Sequence, residues 1–128
     1  MKNITIANIE PALLEYINHQ LEIANHLFEL SQQQRSFIEN GDIQKVFSTN
    51  SKKMNLLHAI QQSDNGISAL ETKSGLPSGS DAVPEITNLI AELNLVMQHF
   101  VESETDNMTI LSHQGEKFQK ELDTILSG

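Results

Sequence analysis

The chain has no cysteine and no tryptophan, a single tyrosine, three prolines and only 8 basic residues among 128. Without cysteine there is no disulfide framework, thiolate nucleophile or thiolate metal ligand, a composition suited to the reducing cytoplasm, where the protein is expected to reside. The 8 basic residues face 17 acidic ones, for a net charge of -9. The resulting field repels phosphate backbones and anionic lipid, which argues against nucleic acid and membrane surfaces as partners. No stretch approaches the ~20 apolar residues of a membrane span, and Met1 to Ile9 holds one lysine and no leader-like apolar run. A soluble, unprocessed protein without membrane insertion is expected.

Leu, Ile, Gln, Glu and Asn are frequent, while proline and glycine are few and clustered, a composition for long helices and no sheet. Apolar residues at Leu14, Ile17, Leu21, Ala24, Phe28 and Ile38 recur at steps of three and four. They predict a first helix over about 9–39, entered at Glu10 and Pro11 with Asn8 as cap and ended by Asn40-Gly41. The stretch from Ser31 to Ser36 is a weak point in its seam. Asp42 is a good cap for a second helix, over about 43–71, whose expected core face is Ile43, Val46, Phe47, Met54, Leu57, Ile60, Ile67 and Leu70. Asn50 and Asp64 interrupt that face. Residues 72–82, rich in Gly, Ser and Pro, read as a flexible linker.

A third helix is predicted over about 83–126. Its stripe runs through Ile86, Leu89, Ile90, Leu93, Val96, Met97 and Phe100, then Leu111, Phe118, Leu122 and Ile125. As one helix it is roughly 65 Å long at ~1.5 Å per residue, against about 45 Å for each of the others, so part of the stripe has nothing in the chain to cover it. The segment from Glu102 to Asn107 breaks the stripe where the first two helices should run out, and the core is expected to stop there. The fold class is all-α: an antiparallel bundle of three long helices in a single domain, residues 1–128. The third helix is the longest, with a carboxyl-terminal segment that protrudes or folds back.

Chemistry is sparse. Glu15, His19, Glu22, His26 and Glu29 form one polar stripe, and histidine and carboxylate are ligands for zinc or iron. Helical di-iron sites place such ligands inward from facing helices, whereas this stripe lies opposite the apolar one, so solvated Glu/His pairs are the plainer reading. His99 with Glu102 and His113 with Glu116 are spaced to share a proton or metal but lack a pocket. Ser78-Gly79-Ser80 lacks the Gly-Lys-Ser/Thr ending of a phosphate loop. No enzyme, metal site or cofactor is expected. Met54 and Met97 read as core, whereas Met108 lies beyond the break and suits an adaptable surface.

Gln34-Arg35-Ser36-Phe37-Ile38-Glu39-Asn40-Gly41-Asp42-Ile43-Gln44-Lys45-Val46, Lys52-Lys53-Met54-Asn55-Leu56-Leu57, and Asn107-Met108-Thr109-Ile110-Leu111 followed by Phe118 and Leu122 together resemble the FlgN-like family of flagellar type III export chaperones. The resemblance covers most of the chain. It implies a cytoplasmic chaperone that binds the carboxyl-terminal amphipathic helices of hook-associated, hook–filament junction proteins, prevents their premature assembly and works with the flagellar export apparatus. On that reading the partner-binding residues are Asn107, Met108, Ile110, Leu111, Phe118, Leu122 and Ile125. Two alternatives use the chain differently. One is a self-associating structural or adaptor bundle, a homodimer without a secreted client, built on the same stripe; the other is a metal-binding bundle using Glu15, His19, Glu22 and His26.

Overall fold

The computed structural model describes the backbone of residues 6–74 and 84–127 and the side chains of 11–69 and 85–127. It contains three helices: α1 (Ile6–Glu39), α2 (Ile43–Ser74) and α3 (Pro84–Ser127). The linker expected over 72–82 lies, from residue 75 onward, outside the described residues. α1 starts before the Asn8 cap, at Ile6, so that Pro11 falls inside it. Pro84 opens α3, where a missing N–H leaves no intrahelical bond unmade.

The α1–α2 junction follows directly from Asn40-Gly41-Asp42. Gly41 has φ 73°, a conformation that glycine reaches without steric cost. Its N–H donates to Ile38 O (3.1 Å) and the Asp42 N–H to Phe37 O (2.9 Å), which closes α1 with a Schellman motif. Asp42 Oδ1 then accepts from the Lys45 N–H (3.2 Å) and caps α2. One residue thus serves the end of one helix and the start of the next, and α1 and α2 fold back on each other.

α1 is the central helix. Both α2 and α3 pack on it, while among the described residues no Cα of α2 lies within 8 Å of one in α3. Leu13 and Ile17 meet Ile86 at one end of α1, with Ile67 of α2 alongside. Ser31 meets Asn107 further up, and Ile38 meets Gln114 at the other end. α3 is therefore parallel to α1 and α2 antiparallel to both, an up-down-up bundle.

Each helix turns a heptad seam inward. On α1 it is Leu13, Ile17, Gln20, Ala24, Leu27, Ser31, Gln34 and Ile38; on α2, Val46, Thr49, Lys53, Leu56, Ile60, Ser63 and Ile67. α3 presents Ile86, Leu89, Leu93, Val96, Phe100, Ser103, Asn107, Ile110 and Gln114. Alternating steps of three and four residues define the 3.5 period of helices packed at small crossing angles. The α1 seam keeps Ile17, Ala24 and Ile38 of the face expected on hydropathy but takes Leu13, Gln20 and Leu27 in place of Leu14, Leu21 and Phe28, which become its flank.

Two apolar clusters, one around Ile17 and Ile86 and one around Leu27 and Phe100, fill the lower and middle levels. Full burial of a side chain such as Leu27 contributes about 1.5–3 kcal/mol before entropy is counted. Above them the seam becomes polar. Lys53, only 5% exposed, donates to Gln34 Oε1 and to Glu104 Oε1 (2.6 Å). Ser31 Oγ donates to Glu104 Oε2 (2.7 Å), Asn107 Nδ2 donates to Ser31 O (2.8 Å), and Gln34 Nε2 donates to Val46 O (2.9 Å) and Asn50 Oδ1 (2.7 Å). Every buried side-chain N and O among the described residues has a partner. A fully satisfied layer of this kind fixes helix register, because a shift of one turn would strand charges in the interior.

This layer revises two expectations. The Ser31–Ser36 gap of α1 and the Glu102–Asn107 break of α3 stand at one level and complete each other. The core does not stop at the break: Ser103 and Asn107 are buried, and contact between α1 and α3 continues to Gln114, whose Nε2 donates to Ile38 O (2.9 Å).

Candidate partner-binding site

α3 is continuous through residues 102–107 and, at 44 residues, about 66 Å long, against roughly 50 Å for α1 and α2. Its last bond to α1 is that of Gln114, at the level of the α1–α2 turn. Every described residue from Leu111 to Ser127 is exposed. The carboxyl-terminal segment protrudes and does not fold back.

The residues expected to bind a partner fall into two groups. Asn107 is inside the bundle: its amide donates to Ser31 O, and its Oδ1 accepts from Arg35 Nε (3.1 Å). Ile110 is half-buried where the seam ends. Met108, Leu111, Phe118, Leu122 and Ile125 face outward, with Phe118 65% and Ile125 74% exposed. They share a second heptad stripe, one residue after the inward seam, that continues down α3 as Glu104, Val101 and Met97.

α2 carries a matching feature that the hydropathy pattern misassigned to the core. Ile43, Phe47, Met54 and Leu57 are exposed, Phe47 at 64% and Met54 at 66%. They too lie one residue after a seam position, on a stripe completed by Asn50. α2 holds two stripes about 100° apart, and the one facing α1 contains Thr49, Lys53 and Ser63. The polar residues are buried because each has a partner: Thr49 Oγ1 donates to Lys45 O (2.7 Å), and Ser63 Oγ to Tyr16 O (3.5 Å). The signal that could have identified the outer stripe is the uninterrupted 43, 47, 50, 54, 57 spacing beside an equally regular partner.

The outer stripes of α2 and α3 face the same side. Each is turned by about one residue, or 100°, from the line to α1; the helices run in opposite directions, so these turns have opposite sense in space and converge. The Lys53–Glu104 contact occurs on that side, and Met97 of α3 and Leu56 of α2 both pack on the cluster of Ile23, Leu27 and Phe100. The two stripes lie on one side of the bundle, and that of α3 runs on to its protruding end.

The polar candidates are placed differently. Glu15, His19, Glu22, His26 and Glu29 are all exposed along α1. His99 leans on Phe28 (ring centroids 5.9 Å), Glu102 accepts from Gln98 (3.2 Å), and His113 and Glu116 are exposed. Among the described residues, no three His, Asp or Glu side chains converge as metal ligands. No described helix is long and apolar enough to cross a membrane.

No curated protein and no solved structure matches the chain. A family profile described as FlgN protein matches residues 9–128, which takes in the outer stripes of both α2 and α3. With that match over nearly the whole sequence, on three helices whose third extends beyond its neighbours, the chain belongs to the FlgN family.

Proposed function

We propose that this protein is a cytoplasmic, non-enzymatic chaperone of flagellar export. It holds the carboxyl-terminal amphipathic helices of hook-associated proteins, keeps them from assembling early and delivers them to the export apparatus. Membership of the FlgN family supports the class of function. The observation that carries the site is the exposed apolar stripe of Met108, Leu111, Phe118, Leu122 and Ile125, which none of the described residues covers. Asn107 anchors the base of that surface from inside the bundle, and Ile110 lies at its edge.

An amphipathic client helix laid along the stripe buries its own apolar face, and each large side chain covered contributes a few kcal/mol at ~25 cal/mol per Å², from which ordering and association costs are subtracted. Glu102, Asp106, Glu116 and Glu121 keep the segment soluble and favour a client with basic flanks. Calorimetry with carboxyl-terminal peptides of hook-junction proteins tests the reading. One-to-one binding by the full chain is expected, lost in a Phe118→Glu, Leu122→Glu variant that stays helical. Equal binding by that variant would move the site elsewhere, and no binding by the full chain would refute the client.

A further inference from the structure

We infer that the client helix continues from the protruding end of α3 onto the outer stripe of α2, and that Asn50 and Glu104 fix its register through a hydrogen-bond donor on the client. The inference rests on the chaperone reading and names a second half of its site.

Three observations point to a helix laid across both stripes. First, among the described residues α2 and α3 have no Cα pair within 8 Å, yet each turns an apolar stripe to the same side. Counting from the Lys53–Glu104 contact along the antiparallel helices, Phe47 stands level with Ile110 and Met54 with Ser103. Phe47 therefore shares the height of Met108 and Leu111, and Met54 that of Val101. The α3 stripe runs on from there to Ile125, so the α2 stripe continues the surface already assigned to the client.

Second, the α3 residues alone are a small surface. At no more than about 100 Å² of apolar area per large side chain, Met108, Leu111, Phe118, Leu122 and Ile125 offer about 500 Å² at most, against ~800 Å² per partner in a standard interface. Ile43, Phe47, Met54, Leu57 and Val101, all exposed, about double it. The chain's own linker does not reach them. It joins Ser74 to Pro84, about 40 Å along α2 from Phe47. Going out and back at ~3.5 Å per residue, it extends about 18 Å at most.

Third, each stripe carries one polar residue, and the two are about 5 Å apart in height: Asn50 on α2 and Glu104 on α3. Glu104 accepts from Lys53 and Ser31 and Asn50 from Gln34, but a carboxylate has about four acceptor sites, and the Glu104 side chain is 30% exposed. An apolar client side chain at this level strips water from the remaining sites, whereas an amide or hydroxyl satisfies them. Because Lys53 balances the charge, the donor need not be a cation. One polar contact inside an apolar seam is how paired helices select a register. The fitting client is an amphipathic helix of about 28 residues, the rise from Met97 to Ile125, with its donor about seven residues from the end that lies on α2.

Calorimetry of the full chain with carboxyl-terminal peptides of hook-junction proteins, about 30–40 residues long to cover that span, is the test. Phe47→Glu and Met54→Glu are each expected to weaken binding about 10-fold with helicity unchanged, whereas Asn55→Glu, which adds the same charge to another exposed face of α2, leaves it within about 2-fold. Replacing the peptide's uncharged polar residues by Ala, one at a time, is expected to find one that costs about 10-fold, shrinking to about 2-fold on the Asn50→Leu variant. Since the chain has no thiol of its own, a photo-cross-linker on Phe47→Cys should capture the peptide and one on Asn55→Cys should not.

Peptide binding that Phe118→Glu abolishes but Phe47→Glu and Met54→Glu leave unchanged confines the client to α3, overturning the inference and sparing the chaperone reading. A scan in which no position couples to Asn50 overturns the register contact. Self-association that Met54→Glu abolishes without changing peptide affinity would give the α2 stripe to a second copy and overturn the inference as well. No binding by the full chain refutes the chaperone reading, and the inference with it.

Discussion

Lys53 brings a positive charge into the polar layer, where it is almost wholly buried. Its ammonium reaches Gln34 of α1 and Glu104 of α3 from α2, and so ties three helices at one point. Removing one member of a buried charge pair leaves the other uncompensated. Glu104 is partly exposed and can be rehydrated, which lowers the cost. Lys53→Met is expected to cost about 1–3 kcal/mol in urea denaturation, and adding Glu104→Gln should recover part of it. Gly41→Ala, at φ 73°, should cost about 1 kcal/mol by the same measurement. Gly115→Ala has the opposite sign for the isolated helix, a gain of up to about 1 kcal/mol in propensity. Hydrogen exchange of residues 111–127 would read that gain, since a Cβ at this position meets nothing within 4 Å.

At the scale of the helix, α3 has two parts that should differ in dynamics. From Ile86 to Gln114 it packs on α1; from Gly115 to Ser127 its hydrogen bonds all lie within the helix itself, and a helix that short is marginal in water. Amides of residues 115–127 are expected to exchange at least 100-fold faster than those of 93–107 in hydrogen-exchange mass spectrometry at low protein concentration. A bound helix should slow them. The extra length of α3 was legible in apolar spacing that resumes beyond the break at Glu102 to Asn107, as was the α1–α2 turn in Asn40-Gly41-Asp42. The α2 core face was not. Ile43, Phe47, Met54 and Leu57 make the more apolar of two stripes, and the stripe with Thr49, Lys53 and Ser63 is the one inside. Hydropathy ranks side chains by their cost in isolation, whereas Lys53 is buried because Glu104, 51 residues away, accepts its charge. In the same way the gap at Ser31 and the break at Ser103 each read as a defect, since a periodicity within one helix carries no record of the level at which another helix will meet it. Of the expected site, the protruding apolar residues could be read from spacing, but the inward orientation of Asn107 could not.

For the whole molecule, charge governs which partners approach and packing what holds them. A net charge of -9 repels an acidic client and favours one with basic flanks. Raising salt from 0.05 to 0.5 M screens that attraction and leaves apolar burial, so client-peptide binding in calorimetry should weaken only severalfold. A contact built on charge pairs would be lost instead.

The tight turn at Gly41 has a consequence for how the chain is made. It follows the end of α1 at Glu39 and returns α2 onto it, so the contacts between the two helices of this hairpin can form as soon as both have left the ribosome and are local enough to form quickly. Gln34 and Lys53 come together in that hairpin, but Glu104 has not yet been synthesised. The nascent hairpin therefore holds an ammonium in its seam without a counter-charge and remains loose until α3 arrives. On this order of events, Lys53→Met should tighten the isolated hairpin while weakening the finished protein.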